Sequence, residues 1–150
     1  LDAPCAGLGV LRRLPEARWR RQPSDIPTLT GLQRRLLEHA LDVCRPGGVV
    51  AYVTCSPHLA ETEFVVSDVL RGRSDVVQES AAPLLPEVPD CGGPSIRLWP
   101  QRHDTDGMYL ALLEDRLSCA VLLTTPYPVW GGARVAVVVM WGMPLFMWTV

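Results

Sequence analysis

The chain has 150 residues and a formal net charge of −2, enough length for one domain with a workable core. That balance lacks the global basic excess of many nucleic-acid binders. Its five cysteines, at 5, 44, 55, 91 and 119, form no C-x-x-C pair and meet no histidine at zinc-finger spacing. This argues against a disulfide framework and a structural metal site, and makes reduced thiols in the cytoplasm the default.

Residues 1–9 read as a strand end entering a turn at Gly7-Leu8-Gly9. The segment 10–27 is Arg- and Pro-rich with no sustained period, and reads as a loop with at most a short helix. Leu29, Leu32, Leu36, Leu37, Ala40, Leu41 and Cys44 then recur at three- and four-residue steps and predict an amphipathic helix. Thr30-Gly31-Leu32-Gln33 has capping-box spacing at its start, and Pro46-Gly47-Gly48 stops it. Val49–Val53 is a continuous apolar run suited to a strand buried on both faces, as in a parallel sheet. Ser56 and Pro57 suit a first helical turn, and Leu59, Val65, Val66, Val69 and Leu70 give a second stripe that Gly72 ends. Asp75 to Glu79 predicts a strand, residues 81–107 with five prolines a long loop, and Gly107–Leu113 a last strand. The order is α/β throughout. Both Cys5 and Cys55 fall beyond strand ends, where ligands of open α/β sheets sit.

From Ala120 to Val150 the only charge is Arg134, and Val135–Val150 is an apolar run of sixteen residues interrupted by Gly142 and Pro144. A membrane-spanning helix needs about twenty residues. The tail is therefore expected to be a read-through or otherwise non-native segment, with a membrane segment or an extra core element as alternatives. No membrane partner is expected unless residues 120–150 are genuine.

A single cysteine after an apolar strand is more often a small core residue than a nucleophile. Here the cysteines belong to an ordered series. Asp2-Ala3-Pro4-Cys5-Ala6-Gly7-Leu8-Gly9 is followed by Pro46-Gly47-Gly48, then by Tyr52-Val53-Thr54-Cys55-Ser56-Pro57 and Glu61-Thr62-Glu63. Downstream come Arg97-Leu98-Trp99-Pro100 and His103-Asp104-Thr105-Asp106-Gly107. This series resembles the paired cysteine motifs of the Sun/Fmu-type RNA cytosine-5 methyltransferases, over residues 1–114. Asp104 stands where that family usually has glycine, and Ala6 where it usually has serine.

The resemblance implies the C-terminal half of a Rossmann-like class I S-adenosylmethionine-dependent methyltransferase sheet, with an atypical apolar tail. Residues 1–114 would be a partial catalytic domain and 115–150 the tail. It implies an RNA (cytosine-5) methyltransferase acting on 16S rRNA through a covalent cysteine–cytosine intermediate. Cys55 would be the nucleophile, Cys5 would assist proton removal and product release, and Asp2 would hydrogen-bond the base. Asp2 and Pro4 would also lie beside the methyl donor.

Some of this chemistry has its own support in the residues. A thiolate adding at carbon 6 of a pyrimidine activates carbon 5, and a cysteine at a helix start gains from the helix dipole. Cys55 before Ser56-Pro57 fits that expectation. Arg12, Arg13, Arg18, Arg20 and Arg21, with Trp19 among them, are candidates for RNA contact. His58 and His103 read as loop residues, Glu61 and Glu63 as caps at a helix start, and Cys44 as core.

No Gly-rich cofactor turn lies upstream of Asp2, so the chain is read as a C-terminal piece that would bind S-adenosylmethionine poorly and be inactive alone. A monomer without a metal is expected. A tRNA acceptor, or a noncatalytic RNA-binding remnant, are the competing readings.

Overall fold

The apolar stripe of the first long helix folds as its spacing predicts, but the helix starts earlier. In the computed structural model, which describes residues 1–89 and 91–116 and the backbone of 135–136, helix α1 spans Ala17–Arg20 and helix α2 spans Asp25–Asp42. Pro27 sits in the first turn of α2, where no backbone N–H needs an intrahelical acceptor, so it does not break the helix. The Thr30/Gln33 capping box does not form. Thr30 Oγ1 donates to Pro27 O at 3.1 Å, and Gln33 is fully buried and turned to the site described below. Gly47 takes a left-handed turn (φ 70°) between α2 and strand β1, Val49–Thr54.

Helix α3 spans Glu63–Gly72 and buries Val65, Val66 and Val69. Strand β2 spans Val76–Glu79. The predicted 81–107 loop contains a strand β3, Ser95–Leu98, and a short helix α4, Pro100–His103. Four residues with one deeply buried side chain, Ile96, give too short a period to be visible in sequence. Strand β4, Met108–Asp115, is the hub of the sheet. β1 runs antiparallel along one edge of it, and β2 and β3 run antiparallel along the other, one beyond the other.

Residues 1–3 lie parallel to β1, with Asp2 beside Val53, Ala3 N–H donating to Val53 O and Val53 N–H to Leu1 O, both at 2.9 Å. The parallel pairing expected of β1 thus holds on one side only; on the other its neighbour is antiparallel. Strand β5, Val135–Ala136, also pairs in parallel with β1 at Val49 and Val50. The rest of the 120–150 tail, and Cys119, lie outside the described residues.

One sheet face carries the main core. Tyr109, Ala111 and Leu113 of β4 and Val50 and Tyr52 of β1 pack under Leu37, Ala40 and Leu41 of α2 and Val65, Val66 and Val69 of α3. Each buried Leu or Val among them contributes about 1.5–3 kcal/mol. The alternate residues Leu110 and Leu112 pack on the opposite face against Ala81, Cys91 and Ile96. The tyrosine rings of Tyr52 and Tyr109 meet edge to face with centroids 6.3 Å apart. Among the described residues, no helix is long and apolar enough to cross a membrane.

Candidate active site

Two parallel neighbours deliver their following loops to the same end of a sheet. The segment 1–3 and β1 do this for Cys5 and Cys55, whose sulfurs lie 3.2 Å apart. Each is partly buried. The loops are also tied to each other. Gly9 N–H donates to Cys55 O at 2.9 Å, and Gly107 N–H donates to Gly9 O at 2.8 Å. A Cβ at Gly9 would collide with the Gly107 carbonyl and lie 2.8 Å from the Cys55 carbonyl oxygen. Glycine is required there by space, whereas Gly7 is favoured by its left-handed φ of 70°.

The centre of this arrangement is Glu61, which the sequence reading treated as a helix cap. Its side chain is 0% exposed. Oε1 accepts from Ala6 N–H at 2.8 Å and from Gln33 Nε2 at 3.1 Å, and Oε2 accepts from the Ser56 hydroxyl at 2.6 Å. Gln33 also donates to Pro4 O at 2.8 Å, and Tyr52 OH donates to Glu61 O at 2.9 Å. A buried carboxylate is costly unless its oxygens are saturated by donors, and here three are supplied.

The expectation that Cys55 opens a helix is not met. Residues Leu59–Glu61 form a 3-10 turn and α3 begins only at Glu63; the Ser56 hydroxyl donates to Glu61 and accepts from His58 N–H at 3.2 Å, closing a local turn instead. The Cys55 thiol is instead held below its usual value by the hydrogen bond from Cys5, against burial and the charges of Asp2 and Glu61, which push it up. Cys5 moves the opposite way, raised by its bond to Cys55 and by burial. Of the two sulfurs, Cys55 is the one biased toward thiolate.

Asp2 and Pro4 are exposed beside this pair. Arg12 pairs with Asp104 at 2.8 Å, and Arg13 Nε donates to Asp106 at 2.6 Å, so both brace the Cys5 loop against the segment before β4. Asp104 adopts φ 50°, the left-handed region that accounts for glycine being usual there in the resembled family. Arg18, Trp19, Arg20 and Arg21 are exposed on and after α1.

His58 Nδ1 accepts from Ala60 N–H, and His103 Nδ1 accepts from Trp99 N–H while its Nε2 meets Pro89 O at 3.0 Å; both serve loops. Arg97 was missed as a brace. It donates to Thr62 Oγ1 at 3.1 Å, pairs with Glu63 at 2.9 Å and lies over the Trp99 and Tyr109 rings. Cys44 packs against the main core, as expected. Among the described residues, no three His, Cys, Asp or Glu side chains gather to hold a metal ion.

Residues 1–114 match the family described as 16S rRNA methyltransferase RsmB/F. The chain is 56% identical over 115 residues to a Mycobacterium tuberculosis protein provisionally named as a methyltransferase, covering 75% of this chain and 25% of that relative. It is 35% identical over 113 residues to ribosomal RNA small subunit methyltransferase B of Erwinia tasmaniensis, again covering 75% and 25%. The crystal structure of NSun6 from Pyrococcus horikoshii with SFG has a TM-score of 0.63 and 30% identity, covering 77% of this chain and 29% of that one. The chain therefore spans about 25% of the length of the curated relatives it matches. With the paired cysteine loops in place and the match covering residues 1–114, the chain belongs to the 16S rRNA methyltransferase RsmB/F family.

Proposed function

We propose that the protein carrying this chain is an S-adenosylmethionine-dependent RNA (cytosine-5) methyltransferase acting in the cytoplasm on small-subunit ribosomal RNA. The observation that carries this reading is the Cys5–Cys55 pair, 3.2 Å apart at one end of the sheet. Two thiols so placed suit a reaction that needs a nucleophile and a separate group for release. The rRNA preference is supported by the family and by the Erwinia relative's name.

Cys55, the more acidic sulfur, adds to carbon 6 of the cytosine and makes carbon 5 nucleophilic. Asp2 hydrogen-bonds the base where charge develops. S-adenosylmethionine supplies an electrophilic methyl group when bound. The side chains here fit it in part: Asp2 and Pro4 are exposed at the sheet end, and the Asp2 carboxylate accepts no hydrogen bond among the described residues. Use of that cofactor is supported by the NSun6 relative, described with the analogue SFG.

Release requires the carbon 5 proton to leave, the ring double bond to re-form and the Cys55 sulfur to depart with its bonding pair. Cys5 is the residue placed to assist. Its proton is held by the hydrogen bond to Cys55 and by burial. Once the Cys55 sulfur is bonded to carbon it is a weaker acceptor, and Cys5 becomes easier to ionise at the step that uses it. Arg18, Arg20 and Arg21 with Trp19 form the RNA contact, whereas Arg12 and Arg13, paired with Asp104 and Asp106, hold the loop beside it.

The test is covalent trapping by the intact protein on small-subunit rRNA containing 5-fluorocytosine. Cys55→Ser abolishes the adduct, whereas Cys5→Ser accumulates an adduct on unmodified cytosine, where release still needs the carbon 5 proton to leave. An adduct that survives Cys55→Ser refutes the nucleophile assignment. Trapping on tRNA but not on rRNA overturns the acceptor.

A further inference from the structure

We infer that Glu61 is the positioning residue that sets the two thiols against each other. This rests on the reading of Cys5 and Cys55 as the working pair. The carboxylate grips each cysteine loop one residue beyond its sulfur, at Ala6 N–H and at the Ser56 hydroxyl. The residue before Cys5 is held by the same network, since Gln33 donates both to Pro4 O and to Glu61. Cys5 is thus bracketed on both sides.

The clamp is itself anchored. Glu61 N–H donates to His58 O at 2.9 Å, and its carbonyl accepts from Tyr52 OH, a fully buried core residue of β1. The chain linking the sulfurs through Glu61 therefore runs from the core outward and contains no solvent-exposed member. No other side chain among the described residues bonds to both cysteine loops at positions adjacent to the sulfurs.

An apolar residue in this place would cut both grips, leaving the Ala6 N–H and the Ser56 O–H buried without these acceptors. Glutamine would keep both loops tied. Its carbonyl oxygen can take the two N–H donors of Oε1, and its amide can donate to Ser56 Oγ, which also accepts from His58 N–H. Glu61→Gln therefore keeps the bridge and removes the charge, which separates positioning from electrostatics.

Formation of the Cys5–Cys55 disulfide by added diamide in the intact protein, mapped by mass spectrometry, reads sulfur proximity without any methyl transfer. Glu61→Ala is expected to slow it at least about tenfold, the equivalent of one lost hydrogen bond to a charged group. Glu61→Gln restores the rate and moves alkylation of Cys55 to lower pH, since the anion that opposed ionisation is gone. If Glu61→Ala does not fold, Ser56→Ala cuts one arm of the same clamp and is read instead. Wild-type pairing rates in the folded truncations, or failure of Glu61→Gln to restore them, overturn the inference. Loss of the nucleophile reading shows separately, as an adduct that survives Cys55→Ser.

Discussion

The cysteine end of the sheet and the arginine segment 12–21 both stand out in the sequence, yet they are built in opposite ways. At the cysteine end the polar groups go inward. Glu61, Gln33 and Ser56 are fully buried, and the Glu61 oxygens are matched to donors. On the arginine segment they go outward, with Trp19 78% exposed and Arg18, Arg20 and Arg21 in solvent on and after a helix of four residues. The border runs through the cluster itself, because Arg12 and Arg13 turn back to Asp104 and Asp106. Reacting groups need fixed geometry, which burial and saturated hydrogen bonds provide. A surface for a flexible polyanion needs accessible charge, which they would remove.

The strongest way to break this contrast is to loosen the rigid side. Gly9→Ala forces a methyl between the carbonyls of Gly107 and Cys55, and backbone has little room to yield. A loss of about 3 kcal/mol is expected, read as a lowered denaturant midpoint of the intact protein. An unchanged midpoint would show that the two loops are not packed as described.

Cys5→Ala is the next largest and acts on electrostatics rather than packing. The bond from Cys5 is the main cause lowering the Cys55 thiol, while burial and the Asp2 charge raise it. Removing the bond leaves the raising causes, so the pH at which Cys55 becomes thiolate rises. Iodoacetamide modification of Cys55 should shift to higher pH and be slower at neutral pH. A profile moving to lower pH would mean that Cys5, not Cys55, is the sulfur that ionises first.

The same contrast explains what could be read without a structure. Helices α2 and α3 were legible because their apolar stripes repeat locally, and the cysteine pair because its motifs come in a fixed order. What escaped depends on long-range partners. Ala6 and Glu61 are 55 residues apart, and glutamate is a residue type expected in solvent, so its complete burial left no local trace. At Ser56-Pro57 the predicted helix start gives way to a turn in which Ser56 joins His58 N–H to Glu61. Strand β3 was lost because it has four residues and takes its register from β4. The glycine-to-aspartate departure at Asp104 became intelligible only with its φ of 50°.

The smallest effect expected, and the one that sharpens the border within the arginine cluster, is on RNA affinity. Each guanidinium that meets a phosphate releases condensed counterions, so its removal lowers the slope of log affinity against log salt by about 0.7 for single strands. Replacing Arg18, Arg20 and Arg21 by alanine in the intact protein should therefore flatten that slope by about two units, affecting all RNA sequences alike. Arg12→Ala should change it far less, because its charge is already met by Asp104. Its stability cost should also be small, about 0–1 kcal/mol for an exposed pair. Asp104→Asn then becomes the decisive comparison, since asparagine tolerates the same left-handed backbone but frees the Arg12 charge. A steeper slope in that variant places the border where the ion pairs lie; an unchanged slope means that Arg12 stands out of reach of RNA.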